Sequence, residues 1–385
     1  MDFIKKGKEF DLVGFGEVML RLSPQNKEKI SQSEVFEKNA GGSELNVVSG
    51  AAVLGVRSAI ITKLPESKIG HFIRNKIRYG NVSDDYVVYD TSEEKRLGIY
   101  YYESGAYPRK SSVIYDRAAS SMTTLSLEEI DPDIYDKTGV FHISSISLAL
   151  NEKLRETAVS LIKNFHAKGV AISFDVNYRA SLWSEEEARK TIESVLPYVD
   201  ILFVSEETSR RMFQKTGTLE EIMKSYCDEF GCKLVATTQR VVKSPTRHNF
   251  SSKVYYDGQF YEEKPYENIE VVDRIGSGDA YVAGMLYGLI QHSDVRRAVQ
   301  IGNAMAAVKN TVNGDMCASS IGEIEGIIKA HTAEGVQSSW TYWQYCILNS
   351  KSSFSVYLNC NAFASITERL YILLGVNPLR YLFSS

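Results

Sequence analysis

The stretch VVDRIGSGDAYVAG, residues 271–284, decides most of what the chain can be. Two β-branched residues and an acidic one run into a Gly-Ser-Gly turn, and Asp279 then stands at the mouth of a helix. Glycines let backbone approach a ligand closely, and the start of a helix offers unpaired N–H groups and partial positive charge. That arrangement suits a transferring phosphoryl group, with Asp279 beside it to accept a proton from an attacking hydroxyl. The plainer reading is that Asp279 caps its own helix while Gly276 and Gly278 merely turn the chain.

Outward from this stretch, up to about residue 330, short apolar runs alternate with longer helical ones. The runs DLVGF, SAIITKL, VFHISS, AISFDVN, DILFVS and KLVATT read as strands, with helices over 44–54, 152–166, 185–195 and 280–290. Such alternation predicts an α/β fold with a mostly parallel sheet covered by helices on both faces. Ligands of such sheets sit at the carboxyl ends of strands, which makes Asp175, Asn177 and Ser205 candidates. One segment breaks the rhythm. Residues 86–117, with part of 12–40, are rich in Tyr, Val and Ile without helical period and predict a small antiparallel β-sheet lid. Within it Tyr100 and Tyr102 share one face and Tyr101 takes the other. Residues 1–331 read as one domain; 332–385, rich in Ser, Tyr, Asn and Leu, form an atypical tail with no assigned role.

Composition narrows the class. With 44 Lys and Arg against 48 Asp and Glu the formal charge is −4, so nothing global favours a nucleic acid or an anionic membrane as partner. No run of 18 apolar residues and no apolar leader occurs, which predicts a cytoplasmic protein. The five cysteines, Cys227, Cys232, Cys317, Cys346 and Cys360, are scattered and read as free thiols rather than a zinc site. GFGEVM and GSGDAY lack the third glycine of a dinucleotide fingerprint, and there is no G-x-x-x-x-G-K-[ST] phosphate loop, H-E-x-x-H helix or serine nucleophile elbow.

A second segment, AGGSELNVVSGAAVL (residues 40–54), sets a Gly-Gly pair before Asn46 and a helix of small residues. Together with 271–284 it resembles the two characteristic regions of the ribokinase-like carbohydrate kinases, over roughly residues 10–330. GFGEVMLRLSP, SFDVNYRASLWS, VATTQRVVKSP, KPYENIEVVDRIGSGDA and AAVKNTVNGD bring it nearest to the 2-keto-3-deoxygluconate kinases of that family. The resemblance implies a ribokinase-like fold and ATP-dependent phosphorylation of 2-keto-3-deoxygluconate, with Mg2+ and with K+ as a candidate monovalent ion. It implies Gly276, Ser277, Gly278 and Asp279 as anion hole and base. Gly41, Gly42, Asn46, Tyr100, Tyr115, Arg117 and Arg179 fall on the substrate side, the two arginines where a carboxylate would be held. Ser205, Thr238, Arg240 and Asn303 fall on the nucleotide side, and Asp273 near the monovalent-ion position.

Two departures stand out. Arg21 replaces an aspartate common in neutral-sugar members, which suits an acidic substrate or marks an ordinary strand end. The N-x-x-E segment that helps to organise Mg2+ appears as Ser205, Glu206, Glu207 and Thr208, leaving Glu206 and Glu207 as substitutes. A neutral-sugar kinase such as a fructokinase, or a weakly active sugar-binding regulator on the same scaffold, are the alternatives. Self-association through the small sheet is expected, with a small-molecule sugar acid as partner.

Overall fold

The computed structural model describes residues 1–333, so the tail assigned from the sequence lies, apart from its first two residues, outside the described residues. The main sheet runs in parallel through Leu234–Ser244, Ile201–Phe203, Ala171–Asp175, Thr138–Ser144, Phe10–Phe15 and Ser58–Pro65. Beyond Leu234–Ser244 it continues antiparallel into Arg247–Tyr256, which pairs with both Gln259–Glu262 and Tyr266–Glu270. Helices cover both faces, so the inner strands are buried along their whole length, as Ser58–Pro65 and Thr138–Ser144 are.

Neighbouring residues of a strand point to opposite faces, and each face has its own core. Leu12, Ile60 and Val140 pack on one side, Val13, Ile61 and Phe141 on the other. Phe141 stacks on Phe165 of the helix Glu152–Ala167 at 4.2 Å between ring centroids. Truncating so well packed a phenylalanine to alanine costs about 3–5 kcal/mol.

The helix carrying Asp279, Ser277–Tyr287, is buried from Ala280 onward and is apolar all round, because it packs inside the molecule. A Cβ at Gly284 would sit 2.8 Å from the Cα of Gly302, so glycine there lets this helix lie directly on Val295–Lys309. Small residues also bring Ser43–Val53 against it, with Gly50 facing Ala283. These contacts fix the start of the helix.

The separate small sheet consists of Phe36–Gly41, Met19–Pro24, Ile99–Glu103 and Ser112–Asp116. Tyr100 and Tyr102 are buried on one face and Tyr101 is half-buried on the other, as alternation requires. Two expectations are corrected. Val87–Asp90 belongs to the main sheet, pairing parallel with Ser58–Pro65. The central pair of the small sheet, Met19–Pro24 with Ile99–Glu103, is parallel, because the chain passes through the main sheet between them. Among the described residues no helix is long and apolar enough to cross a membrane.

Candidate active site

The turn before the Asp279 helix is built against a second turn. Gly276 has φ 81°, and a Cβ there would lie 2.0 Å from the carbonyl oxygen of Asp315, so only glycine fits. The backbone N–H groups of Val272 and Asp273 donate to Asn310 O at 2.8 and 3.2 Å. Ser277, Gly278 and Asp279 form the first helical turn, where N–H groups have no helical acceptor.

Asp279 does not cap its own helix. Its Oδ1 accepts from Ser43 Oγ at 2.8 Å and its Oδ2 from Asn46 Nδ2 at 2.7 Å, both across the gap on the helix Ser43–Val53. Asn177 Nδ2 in turn donates to Ser43 Oγ at 3.2 Å. Burial raises the Asp279 carboxyl above the ordinary carboxylate value, while the bonds from Asn46 and Ser43 and the charge of Arg179 act in the opposite sense. The result is a carboxylate of fixed orientation with raised proton affinity, both of which a general base needs.

Two cavities meet at this group. The larger, about 430 Å³, is lined by residues that include Glu17, Gly42, Asn46, Tyr100, Tyr115 and Arg117. The smaller, about 260 Å³, lies over the strand ends at Asp175, Ser205 and Thr238. Asn177, Arg179, Gly278 and Asp279 line both. One chamber faces the small sheet and the other the carboxyl ends of the parallel strands, so two ligands could meet across Asp279.

The arginines lining the larger cavity, together with Arg21, which bonds to Asp315 of its lining, fall into two sets. Arg117 forms an ion pair with Glu17, which is buried and also accepts from Ser120 Oγ. Arg21, 3% exposed, donates to Asp315 Oδ1 at 2.7 Å and to Asp273 Oδ2 at 2.5 Å, and Tyr100 OH donates to the other oxygen of Asp315. The expectation that Arg21 or Arg117 carries free charge toward an acidic ligand is therefore corrected: each is neutralised within the fold. Arg179, Arg240 and Arg274, by contrast, have no carboxylate within ion-pair distance among the described residues. Among the described residues Arg179 donates to Tyr178 O, at 3.2 Å. Arg240, expected on the nucleotide side, is corrected: it lines the larger cavity and not the smaller. Burial lowers its pKa, with the neighbouring charge of Arg274 adding to it.

Most of the other residues singled out from the sequence converge. Tyr100 and Tyr115 stand opposite each other on neighbouring strands, with ring centroids 5.8 Å apart. Gly41 ends its strand beside Tyr100 and Asp315, just outside the cavity lining. Ser205 caps the helix Glu206–Arg211, accepting from Thr208 N at 3.1 Å.

Others do not converge. Asn303 is completely buried, its Oδ1 accepting from Ser252 Oγ at 2.7 Å, and it lines neither cavity. Glu206 and Glu207 pair with Arg210 and Arg211 one helical turn on and also stay outside both cavities. Asp273 is buried, with Oδ1 accepting from Ile275 N and Oδ2 from Arg21 and Gly314 N. Its carboxylate is committed to the fold. Among the described residues no three His, Cys, Asp or Glu side chains cluster as a metal site.

The sequence reading passed over Glu17, Ser43, Arg274 and Asp315. Ser43, three residues before Asn46 on one helical face, had a signal in that spacing. Asp175, noted only as a strand end, is the single carboxyl besides Asp279 in the smaller cavity. Burial, and then the charge of Asp279, push it up to about 8.

Residues 10–320 match the pfkB family of carbohydrate kinases. A 2-dehydro-3-deoxygalactonokinase of Haloferax volcanii is 36% identical over 323 residues, covering 84% of this chain and 98% of that protein. A 5-dehydro-2-deoxygluconokinase of Clostridium perfringens is 28% identical, covering 85% and 94%. The crystal structure of a 2-dehydro-3-deoxygluconokinase from Thermotoga maritima superposes with a TM-score of 0.79 at 34% identity, covering 83% of this chain and 98% of that one. The fold is ribokinase-like, and a glycine turn, a buried carboxylate and two cavities meeting at it accord with transfer of a phosphoryl group to a sugar: the chain belongs to the pfkB family of carbohydrate kinases, phosphotransferases that act on sugars.

Proposed function

We propose that this kinase transfers the γ-phosphoryl group of ATP to the terminal hydroxyl of a 2-keto-3-deoxy sugar acid, 2-keto-3-deoxygluconate first among them, to give the 6-phosphate and ADP. The observation that carries the reading is Asp279 at the junction of the two cavities, with Arg179 lining both. The sugar occupies the larger chamber, its hydroxyl toward Asp279; the nucleotide occupies the smaller, its phosphates toward the turn Gly276–Gly278. As the hydroxyl oxygen bonds to phosphorus and the bond to the ADP oxygen breaks, the hydroxyl proton passes to Asp279. The N–H groups of the helix start stabilise the equatorial oxygens.

Support for an acid over a neutral sugar comes from Arg179, Arg240 and Arg274, which bring unpaired positive charge to the sugar chamber. A guanidinium can hold a carboxylate by two parallel hydrogen bonds. The names of the relatives at 36% and 34% identity point the same way.

Mg2+ is held in such sites by one or two carboxylates together with substrate phosphates. Asp175 fits that role where Glu206 and Glu207 do not, since it alone adds a carboxyl to the nucleotide chamber beside Asp279. Mg2+ would supply charge neutralisation at the phosphates. A monovalent ion on the Asp273 carboxylate does not fit, because Arg21 and two backbone N–H groups already occupy those oxygens.

All these residues lie within 1–331, which we take as the kinase domain. Self-association through the small sheet is supported by Ile114, 53% exposed on its edge strand Ser112–Asp116. Coupled ADP release across a panel of keto-deoxy acids and neutral ketoses tests the function. The acids should turn over with the higher kcat/KM; a preference for fructose would replace this reading with the neutral-sugar one.

A further inference from the structure

Lys309 closes the helix Val295–Lys309 with its side chain completely buried. Among the described residues its ammonium has no carboxylate within ion-pair distance; it donates to the carbonyl oxygens of Asp273 at 3.1 Å and Val312 at 3.2 Å. Burying a charge away from water is costly unless the site is built for it. Here the two acceptors belong to the two turns that face each other under Gly276. Asp273 precedes the glycine turn, and Val312 lies in the turn that ends at Gly314 and Asp315, where Gly314 N donates to Asp273 Oδ2 at 3.2 Å and Asp315 O packs on Gly276.

We propose that Lys309 is a positioning residue acting as a tethered cation: its ammonium draws together the carbonyls of Asp273 and Val312, holds the Gly276–Gly278 N–H groups in their phosphate-binding orientation, and makes an inorganic monovalent ion unnecessary. Backbone carbonyls converging on a buried positive charge are the donor set that a desolvated K+ or ammonium ion would also use. The chain fills that position with its own side chain. The carboxylates of Asp273 and Asp315 and the guanidinium of Arg21 are the charged groups around it; their formal charges sum to −1, and the Lys309 ammonium brings the cluster to zero.

The proposal rests on the glycine turn being the phosphate-binding element, and the two readings fail separately. Undiminished turnover of Asp279→Asn would overturn the assignment of the base in any salt, whereas salt dependence of the native enzyme overturns only the role of the lysine. The experiment measures kcat and sugar KM of the full chain in choline, Na+, K+ and NH4+ chlorides at equal ionic strength, with the sugar from the panel that it phosphorylates best. The native enzyme should vary less than about twofold across the four salts. Lys309→Ala should lose 10-fold or more in kcat in choline chloride with little change in sugar KM, and K+ or NH4+ should restore several-fold of that loss. Lys309→Met, which keeps the buried stem, should show the loss with weaker rescue; it also serves if the alanine variant fails to fold. Activation of the native enzyme 10-fold or more by K+ would overturn the proposal. So would folded variants with native kcat, or a loss that no monovalent cation relieves.

Discussion

The two walls of the larger cavity treat positive charge in opposite ways. On the wall formed by the small sheet, Arg117 is bound by Glu17, and Arg21, which does not itself line the cavity, is bound by Asp273 and Asp315. On the wall formed by the strand ends and the glycine turn, Arg179, Arg240 and Arg274 have no carboxylate partner among the described residues. A buried ion pair presents a ligand with little net charge, whereas an unpaired guanidinium in a cavity still requires an anion. Under the proposed function, the difference gives shape and neutral hydrogen bonding to the sheet wall and anion recognition to the wall around Asp279. The arginine count alone would not have made that distinction.

The largest expected effect lies between the walls. Asp279→Asn keeps a side chain able to bond with Ser43 and Asn46 but is no base, so turnover should fall by about 10²–10⁴-fold with circular dichroism unchanged. Near-native turnover would remove Asp279 from the chemistry.

On the sheet wall the expected effect is on stability. Arg21→Met leaves Asp273 and Asp315 buried without their counter-charge, which should cost about 3–5 kcal/mol in urea denaturation. A loss below about 1 kcal/mol would mean that the network is not the closed unit described.

Across the walls, Arg179→Lys should lower kcat/KM for the keto-deoxy acid by roughly 10- to 150-fold, the equivalent of one charged hydrogen bond of about 1.5–3 kcal/mol. Arg117→Lys can keep its pair with Glu17 and should lose less. Fructose should respond weakly to both. If Arg117→Lys proves the more damaging for the acid, the contrast between the walls is wrong.

The smallest effect concerns pH. Asp175 has its pKa raised to about 8 in the fold, so the folded protein holds that proton more tightly than the unfolded chain does. Its contribution is fully present in acid below the ordinary carboxylate value and is lost as pH rises toward 8. Asp175→Asn carries no such loss, so without nucleotide or Mg2+ the variant should gain on the native protein between pH 5 and pH 8. Because the group faces a cavity open to water, the gain is modest, about 1 kcal/mol or roughly 2–4 °C in Tm. A gap that stays constant with pH would contradict the raised pKa.

Local pattern carried much of this into the sequence. Strand ends, the glycine turn and the position of Asp279 were legible because each depends on neighbours in the chain. So were the tyrosine faces, whereas the role of Asn46 came from the resemblance. What stayed hidden depends on sheet order. Arg21 meets Asp315 across 294 residues and Asp279 meets Ser43 across 236. Glu17 sits inside the quoted GFGEVM, but nothing local says that it neutralises Arg117. Asn303 illustrates the converse: its place near the nucleotide came from resemblance, whereas its burial comes from Val295–Lys309 packing against the main sheet, where Ser252 takes its amide oxygen.

The most direct test of the account is the product itself. Phosphorus NMR of the native enzyme with ATP, Mg2+ and 2-keto-3-deoxygluconate should show one new phosphomonoester, split by the two protons of a terminal CH2 and formed one-to-one with ADP. An ester that forms with fructose but not with the acid would contradict it, as would ADP released without any sugar ester.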